Sequence, residues 1–302
     1  MITRRRFVHT SAAALAAGST VAADSDGPLF SVGLIADAQY VDADKGGIRH
    51  YRKSIEKLGN AVKSINAAHV DFSIHLGDLI DRKFASFDQI LEPLGKLSNP
   101  VYQIPGNHDF SVEDDKKPEV FGKLGMKQPY RSFSKEGFRF IFLDGTEIST
   151  FAQPKGSAIF QEAEAILEEF KAEGRKNAKY WNGAIGKTQL TWLENELSAA
   201  KSAKEKAIIS CHYPILPDNS HNLWNDREVV ALIDRFPGTV AAWFNGHNHA
   251  GNYAERNGVH FVTVQGMVDT PDKNAFAVLD VSPGNLKLRG NGRVPDRDMP
   301  VV

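Results

Sequence analysis

The chain has 302 residues, with 36 Lys and Arg against 37 Asp and Glu, and this formal charge of −1 lacks the basic excess that an obligatory nucleic-acid partner demands. Hydrophobic residues make up 42%, enough for a sizeable core, yet no run reaches the roughly 20 apolar residues of a membrane helix, so stable membrane insertion is not expected. The single cysteine, Cys211, excludes an internal disulfide and reads as a small core residue inside an apolar run.

The chain opens with an address rather than a fold. Thr3-Arg4-Arg5-Arg6-Phe7-Val8 is a charged start, residues 11–17 are small and apolar, and Val21-Ala22-Ala23 is a small-residue cleavage site. An Arg pair followed by one residue and Phe, ahead of an Ala-rich stretch of mild hydrophobicity, resembles a twin-arginine signal. The resemblance implies the twin-arginine export machinery as a partner and a periplasmic or extracellular location. A protein folded before export needs no disulfide, in keeping with one cysteine. Residues 1–23 are assigned to the signal and 24–302 to a single domain.

After the signal, residues 29–36 read as a strand ending at Asp37. Ile48, Tyr51, Ile55, Leu58, Val62 and Ile65 then recur at spacings of three and four, which predicts an amphipathic helix. A strand over 70–76, a helix over 87–97 and a strand over 101–104 complete a βαβαβ unit, whose ligands gather at the carboxyl ends of the strands. Paired strands are expected over 130–134 and 138–143, a charged helix over 157–171, and a surface excursion over 173–186. Helix resumes at Lys187 with Leu190, Leu193 and Leu197 on one face, followed by a strand over 207–210, a helix over 227–236 and a strand over 239–244. The tail over 253–288 reads as mainly β, with Asn257-Gly258 as a hairpin turn, and the segment holding Arg293 and Arg297 is too polar for a strand. The fold class is α/β: a two-sheet β sandwich flanked by helices.

Five segments end apolar runs with metal-ligand side chains: Asp37-Ala38-Gln39, Gly77-Asp78-Leu79-Ile80-Asp81, Gly106-Asn107-His108-Asp109, Cys211-His212 and Gly246-His247-Asn248-His249. One such segment is most often a turn. Together they describe a two-metal site on loops at one sheet edge, the layout that hydrolyses phosphate esters and anhydrides. Two cations about 3.5–4 Å apart need a bridging carboxylate, for which Asp78 is the natural choice. Asp37, Gln39 and one histidine of His247 and His249 complete the first ion, and Asn107, His212 and the other histidine complete the second. Two carboxylates and a shared hydroxide leave two dications net positive, ready for an anionic phosphoryl group. His108, beside Asn107, is the candidate general acid or phosphate clamp. Asp81 and Asp109 are read as orienting imidazoles, with a turn or cap role as the alternative for Asp81.

This ordered set resembles the calcineurin-like metallophosphoesterase superfamily, which implies an α/β/β/α sandwich. The first motif departs from the usual Asp-x-His, because Gln39 stands in place of the histidine. An amide oxygen is a harder ligand than imidazole and tilts preference from zinc toward manganese or magnesium. Ile35 to Tyr40, Trp181-Asn182-Gly183, His212-Tyr213-Pro214-Ile215 with Pro217-Asp218, and Gly292 to Arg297 resemble the manganese-dependent ADP-ribose/CDP-alcohol diphosphatases. That resemblance implies a small-molecule nucleotide substrate, hydrolysis to a nucleoside monophosphate and a phosphorylated alcohol, and two divalent ions: manganese, with magnesium or iron as alternatives. It places Tyr40 and Trp181 against the base, and Arg49, Arg52, Arg293 and Arg297 as substrate-binding residues, the first two at the non-attacked phosphate. Two other readings remain open: a phosphomonoesterase or cyclic-nucleotide phosphodiesterase on the same centre, which needs no base-stacking pair, and an exported nucleotide-binding protein without turnover.

Overall fold

The computed structural model describes residues 27–302, so the signal expected over 1–23 lies outside the described residues. In chain order the elements are β1 (Phe30–Ile35), α1 (Lys53–Ala67), β2 (Phe72–His75), α2 (Ser86–Leu94), β3 (Val101–Gln103), α3 (Val120–Lys123), β4 (Arg131–Lys135), β5 (Phe138–Phe142), α4 (Ala158–Ala172), α5 (Lys187–Ala203), β6 (Lys206–Ser210), α6 (Asp226–Asp234), β7 (Val240–Asn245), β8 (Asn252–Arg256), β9 (Val259–Thr263), β10 (Ala275–Ser282), β11 (Asn285–Gly292) and β12 (Arg297–Pro300). They build two six-stranded sheets, ordered β12-β11-β10-β1-β2-β3 and β4-β5-β6-β7-β9-β8. Strands β1, β2 and β3 are parallel in one sheet, and β5, β6, β7 and β9 are parallel in the other.

Alternation along the strands makes the layers. Phe30, Val32 and Leu34 of β1 face Phe140, Phe142, Ile208 and Phe244 of the other sheet in one buried cluster, the interior of the sandwich. Ile35 faces the opposite way and packs with Leu58, Val62 and Ile65 of α1 and with Phe87 and Ile90 of α2. On the far side, Ile209, Trp243 and Phe261 meet Leu193 and Leu197 of α5 and Val229 and Ile233 of α6. Helices therefore cover both outer faces, as the apolar stripes predict.

Three local expectations are corrected. The first helix begins at Lys53, and Ile48 is 67% exposed, because residues 46–50 are drawn into short bridges with each other and with Asp269 before the helix starts. The excursion over 173–186 is partly buried: Ala178 and Ala184 pack with Ala163 and Leu167 of α4 and with Trp224, and Asn182 is fully buried. Arg297–Pro300 forms an edge strand despite its polarity, because one residue, Met299, fills the core while its neighbours face outward. The hairpin turn is as read, with Asn257 at φ 53 and Gly258 at φ 76 between β8 and β9.

Candidate metal centre

Every ligand-type side chain stands just beyond the carboxyl end of a parallel strand. Asp37 and Gln39 follow β1, Asp78 follows β2, Asn107 follows β3, His212 follows β6, and His247 and His249 follow β7. Four of these positions hold left-handed backbone without being glycine: Asp37 (φ 52), Gln39 (φ 43), Asp78 (φ 58) and His247 (φ 68). Such strain persists only where surrounding contacts over-determine it, as at functional sites. Two glycines make the approach possible: a Cβ on Gly106 would strike the Asp78 carboxylate, and one on Gly77 would strike the His212 ring.

The residues divide into two half-sites around Asp78. His249 Nε2 lies 3.4 Å from Asp37 Oδ1 and 3.0 Å from Gln39 Nε2, and Gln39 Nε2 lies 3.0 Å from Asp78 Oδ2. On the other side, ligand atoms of Asp78, His212 and His247 all lie within 4.8 Å of one another. His249 therefore belongs with Asp37 and Gln39, and His247 with His212. Asp78, Asp37, Gln39 and His212 are fully buried.

Hydrogen bonds around the ring fix which imidazole nitrogen is available to a cation. His212 Nδ1 donates to the Leu76 carbonyl at 2.7 Å, which leaves Nε2 as the lone pair. His249 Nδ1 donates to Asp269 Oδ1 at 2.9 Å, leaving Nε2 free toward Asp37. Asn182 gives both amide protons to the carbonyls of Asn177 and Ser220, so its Oδ1 must accept from His247 Nε2, at 2.8 Å, and Nδ1 is left as that ring's ligand atom. Burial favours neutral Asp78, but His212 and His108 outweigh it and hold the carboxyl below the usual carboxylate range. Burial also opposes charge on His212 and His249, yet Asp78 and Asp37 respectively lift both to about 9. Burial keeps His247 neutral. These residues together form a pocket that calls for positive charge.

Two buried acceptors here have no hydrogen-bond partner among the described residues, Gln39 Oε1 and Asn107 Oδ1, and His212 Nε2 meets the Asp78 carboxylate at 3.3 Å. Buried unpaired acceptors of this kind are costly unless something cationic meets them. The Gln39 amide turns its nitrogen toward Asp78 and His249, and a half turn about its terminal bond would present the unpartnered oxygen to the same groups. With that turn each half-site offers carboxylate, amide oxygen and imidazole nitrogen and no thiolate, a donor set for manganese-like divalent cations. Cys211 is fully buried in the core with its thiol pushed up to about 12, so it offers no ligand.

His108 lines the cleft above this centre. Its Nδ1 lies 2.9 Å from Asp81 Oδ1 and its Nε2 lies 3.3 Å from Arg49 Nη1. A guanidinium only donates, so Nε2 accepts and Nδ1 carries the proton to Asp81. The cleft encloses about 590 Å³ and is lined on its floor by Gln39, Asp78, Asn107 and His247 and on its walls by Arg49, Tyr51, Arg82, Tyr180, Trp181 and His221.

A family model described as calcineurin-like phosphoesterase matches residues 30–251. The chain belongs to that family. Its relatives include the manganese-dependent ADP-ribose/CDP-alcohol diphosphatase of Oryza sativa subsp. japonica, 31% identical over 92% of this chain and 96% of the relative. The enzyme of the same name from Homo sapiens is 31% identical over 91% of this chain and 94% of its own. The crystal structure of a dimetal phosphatase from Danio rerio superposes with a TM-score of 0.84 at 26% identity, covering 91% of this chain and all of the other. The protein is a metallophosphoesterase, and the two half-sites around Asp78 are where its pair of divalent ions would be held.

Within this phosphoesterase site, several residues named from sequence stand elsewhere. Asp109 does not orient an imidazole: its carboxylate accepts from the amides of Asp78, Leu79, Ile80 and Gly106 at 2.8–3.2 Å and clamps two ligand loops together. Tyr40 is only 7% exposed and packs in the cluster under α1 and α2, because its backbone bridges Ile80 and turns the ring away from Gln39's side. Arg52 faces solvent, held by Asp42 at 2.5 Å and Asp44 at 2.6 Å. Arg297 lies over the Tyr253 ring at 4.4 Å, far along the β11–β12 edge. Arg293 donates to the carbonyls of Gly266 and His249, at 2.8 and 3.0 Å, and so braces the His249 loop. Trp181 and Arg49 do line the cleft. Sequence reasoning passed over Asn182 and Asp269, which set two of the three imidazoles. Asp269 ends the apolar run after β9 in the same way that Asp37 ends β1, a signal that was open to the same rule.

Proposed function

We propose that this protein is an exported manganese-dependent diphosphatase that splits nucleoside diphosphate derivatives of the ADP-ribose and CDP-alcohol type into a nucleoside monophosphate and a phosphorylated alcohol. The observation that carries the substrate class is the cleft itself: the shared-carboxylate floor is flanked by Arg49 on one wall and by Tyr180 and Trp181, whose rings meet edge to face at 4.9 Å, on another. Aromatic faces suit a base and tolerate which base it is, while the arginine suits phosphate. The names borne by the rice and human relatives support the same class.

Asp37, Gln39, Asp78 and His249 would hold one cation and Asp78, Asn107, His212 and His247 the other, and such a pair supplies Lewis acidity and lowers the pKa of water. The remaining work falls to the protein. Once protonated, His108 Nε2 donates to a substrate oxygen and no longer accepts from Arg49, whose guanidinium is then free for the phosphoryl group. Asp81, by holding the Nδ1 proton, allows Nε2 to take up a proton and pass it to the leaving oxygen. Asn182 and Asp269 keep His247 and His249 in the ligating tautomer throughout.

Incubating ADP-ribose, CDP-choline and a simple phosphomonoester with the manganese-loaded protein tests this reading. Release of AMP and CMP with the matching sugar or alcohol phosphate is the expected result. More efficient release of inorganic phosphate from the monoester would favour a phosphomonoesterase. Export rests on the residues 3–8 and 21–23. In a bacterial host, Arg4→Lys with Arg5→Lys is expected to leave the protein in the cytoplasm, and unchanged periplasmic accumulation would overturn the twin-arginine route.

A further inference from the structure

Arg82 lies on the cleft wall in a conformation that demands explanation. It holds left-handed backbone at φ 65, and its guanidinium carbon sits 4.6 Å from the centroid of the Tyr51 ring, itself a lining residue. Its Nε stands 3.2 Å from Asp81 Oδ2, while the other oxygen of the same carboxylate holds His108. Arg49, His108, Asp81 and Arg82 therefore form a continuous array along one wall, starting beside the ligand Asn107. Arg49 is engaged at one end by His108 Nε2. At the other end, neither Nη group of Arg82 has a hydrogen-bond partner among the described residues, and the side chain is 52% exposed.

A carboxylate beside Nε and an aromatic face beneath hold this guanidinium on the cleft wall, with its Nη donors open to the cleft. The array carries two cations against one carboxylate, leaving net positive charge. In a diphosphate whose attacked phosphorus meets Asn107 and His108 at the floor, the second phosphate is one bridging oxygen further out along the wall, beyond the reach of the ligand side chains. A planar fork is the side chain suited to grip it through two oxygens.

We infer that Arg82 is a specificity-determining residue that recognises the second, non-attacked phosphate and so distinguishes diphosphate derivatives from simple phosphoesters. This rests on the diphosphatase reading above. Arg52, pinned by Asp42 and Asp44 at the surface, does not supply this function.

The test uses the manganese-loaded enzyme with bis(4-nitrophenyl) phosphate as reporter and ADP or AMP as competitive inhibitor, alongside KM for ADP-ribose. In Arg82→Ala the inhibition constant of ADP and the KM of ADP-ribose are expected to rise by about 10- to 100-fold, the scale of losing a charge-assisted hydrogen-bond pair, and by at least about tenfold more than the inhibition constant of AMP. Arg82→Lys keeps the charge without the fork and is expected to recover part of the loss. Equal shifts for ADP and AMP, no shift for either, or a fall in kcat alone would make Arg82 a support for Asp81 and overturn the inference. Wild-type protein that releases no nucleoside monophosphate from any diphosphate would defeat the diphosphatase reading itself, and this inference with it. The wild-type assay and the variant assay thus separate the two failures.

Discussion

Asp269→Ala should weaken manganese binding at the half-site of Asp37, Gln39 and His249 without touching any ligand directly. Asp269 is 1% exposed, and its Oδ1 takes the Nδ1 proton of His249 at 2.9 Å. Losing it removes the acceptor that keeps the proton on Nδ1, so the ring can shift its proton to Nε2 and lose the lone pair that faces Asp37. It also removes a negative charge that helps bring a cation to the site. Partners of this kind are worth about 10- to 100-fold in metal affinity, or about 1.4–2.8 kcal/mol. Asp269→Asn retains an oxygen that can accept from Nδ1 but loses the charge, and it should fall between wild type and Ala. Titrating manganese into chelator-stripped protein, by calorimetry and by recovery of activity, measures the shift, with thermal melting as the control for folding. Identical titration midpoints for wild type, Asn and Ala would refute the claim that Asp269 sets the His249 ligand.

The other expectations concern the same cleft. His108→Ala should retain both metal ions and lose about 10²- to 10⁴-fold in rate, and near-normal turnover would assign leaving-group protonation elsewhere. Trp181→Ala should cost about 1–3 kcal/mol on nucleoside diphosphate substrates, with a smaller loss on bis(4-nitrophenyl) phosphate; equal losses would make the ring a support for the fold. Chelator-stripped protein should become less stable as pH rises. Burial opposes charge on His212 and His249, but Asp78 and Asp37 lift both to about 9, so the stabilisation is complete below the free value of about 6.5 and is lost as pH rises through about 9. Manganese affinity should rise over the same window, because ligation displaces those protons. Melting curves with chelator and manganese titrations across pH 6–10 check both trends, and stripped protein that gains stability toward pH 9 would contradict them.

The gathering of the candidate ligands was legible because each obeys one local rule: a polar residue within a few positions of the carboxyl end of a strand. Asp37, Asp78, Asn107 and His212 follow it without reference to anything distant. The division of His247 and His249 between the half-sites was not legible, since it follows from which ring the turn after β7 sets beside Asp37 and which beside Asp78 and His212, and the ligating nitrogen of each is set by Asn182 and Asp269, 65 and 20 residues away in sequence. Tyr40 shows why adjacency misleads: Gln39 holds left-handed backbone and Tyr40 bridges Ile80, so the ring next to this ligand packs into the core while His108, next to Asn107, lines the cleft. Arg52 lies away from the cleft for a different reason. Guanidinium groups are long and take whichever acid is nearest, and for Arg52 the nearest acids are Asp42 and Asp44 on the surface. The sandwich itself followed from helix stripes and buried strands, whereas the β12 edge strand is too short for its alternation to show.

The shared role of Asp78 is the centre of the account, and the metal content of purified variants tests it most directly. Elemental analysis after manganese loading and desalting should find two ions per chain in the wild type, one in His249→Ala and none retained in Asp78→Ala, because only Asp78 serves both half-sites. An Asp78→Ala protein that still carries two manganese ions per chain would contradict it.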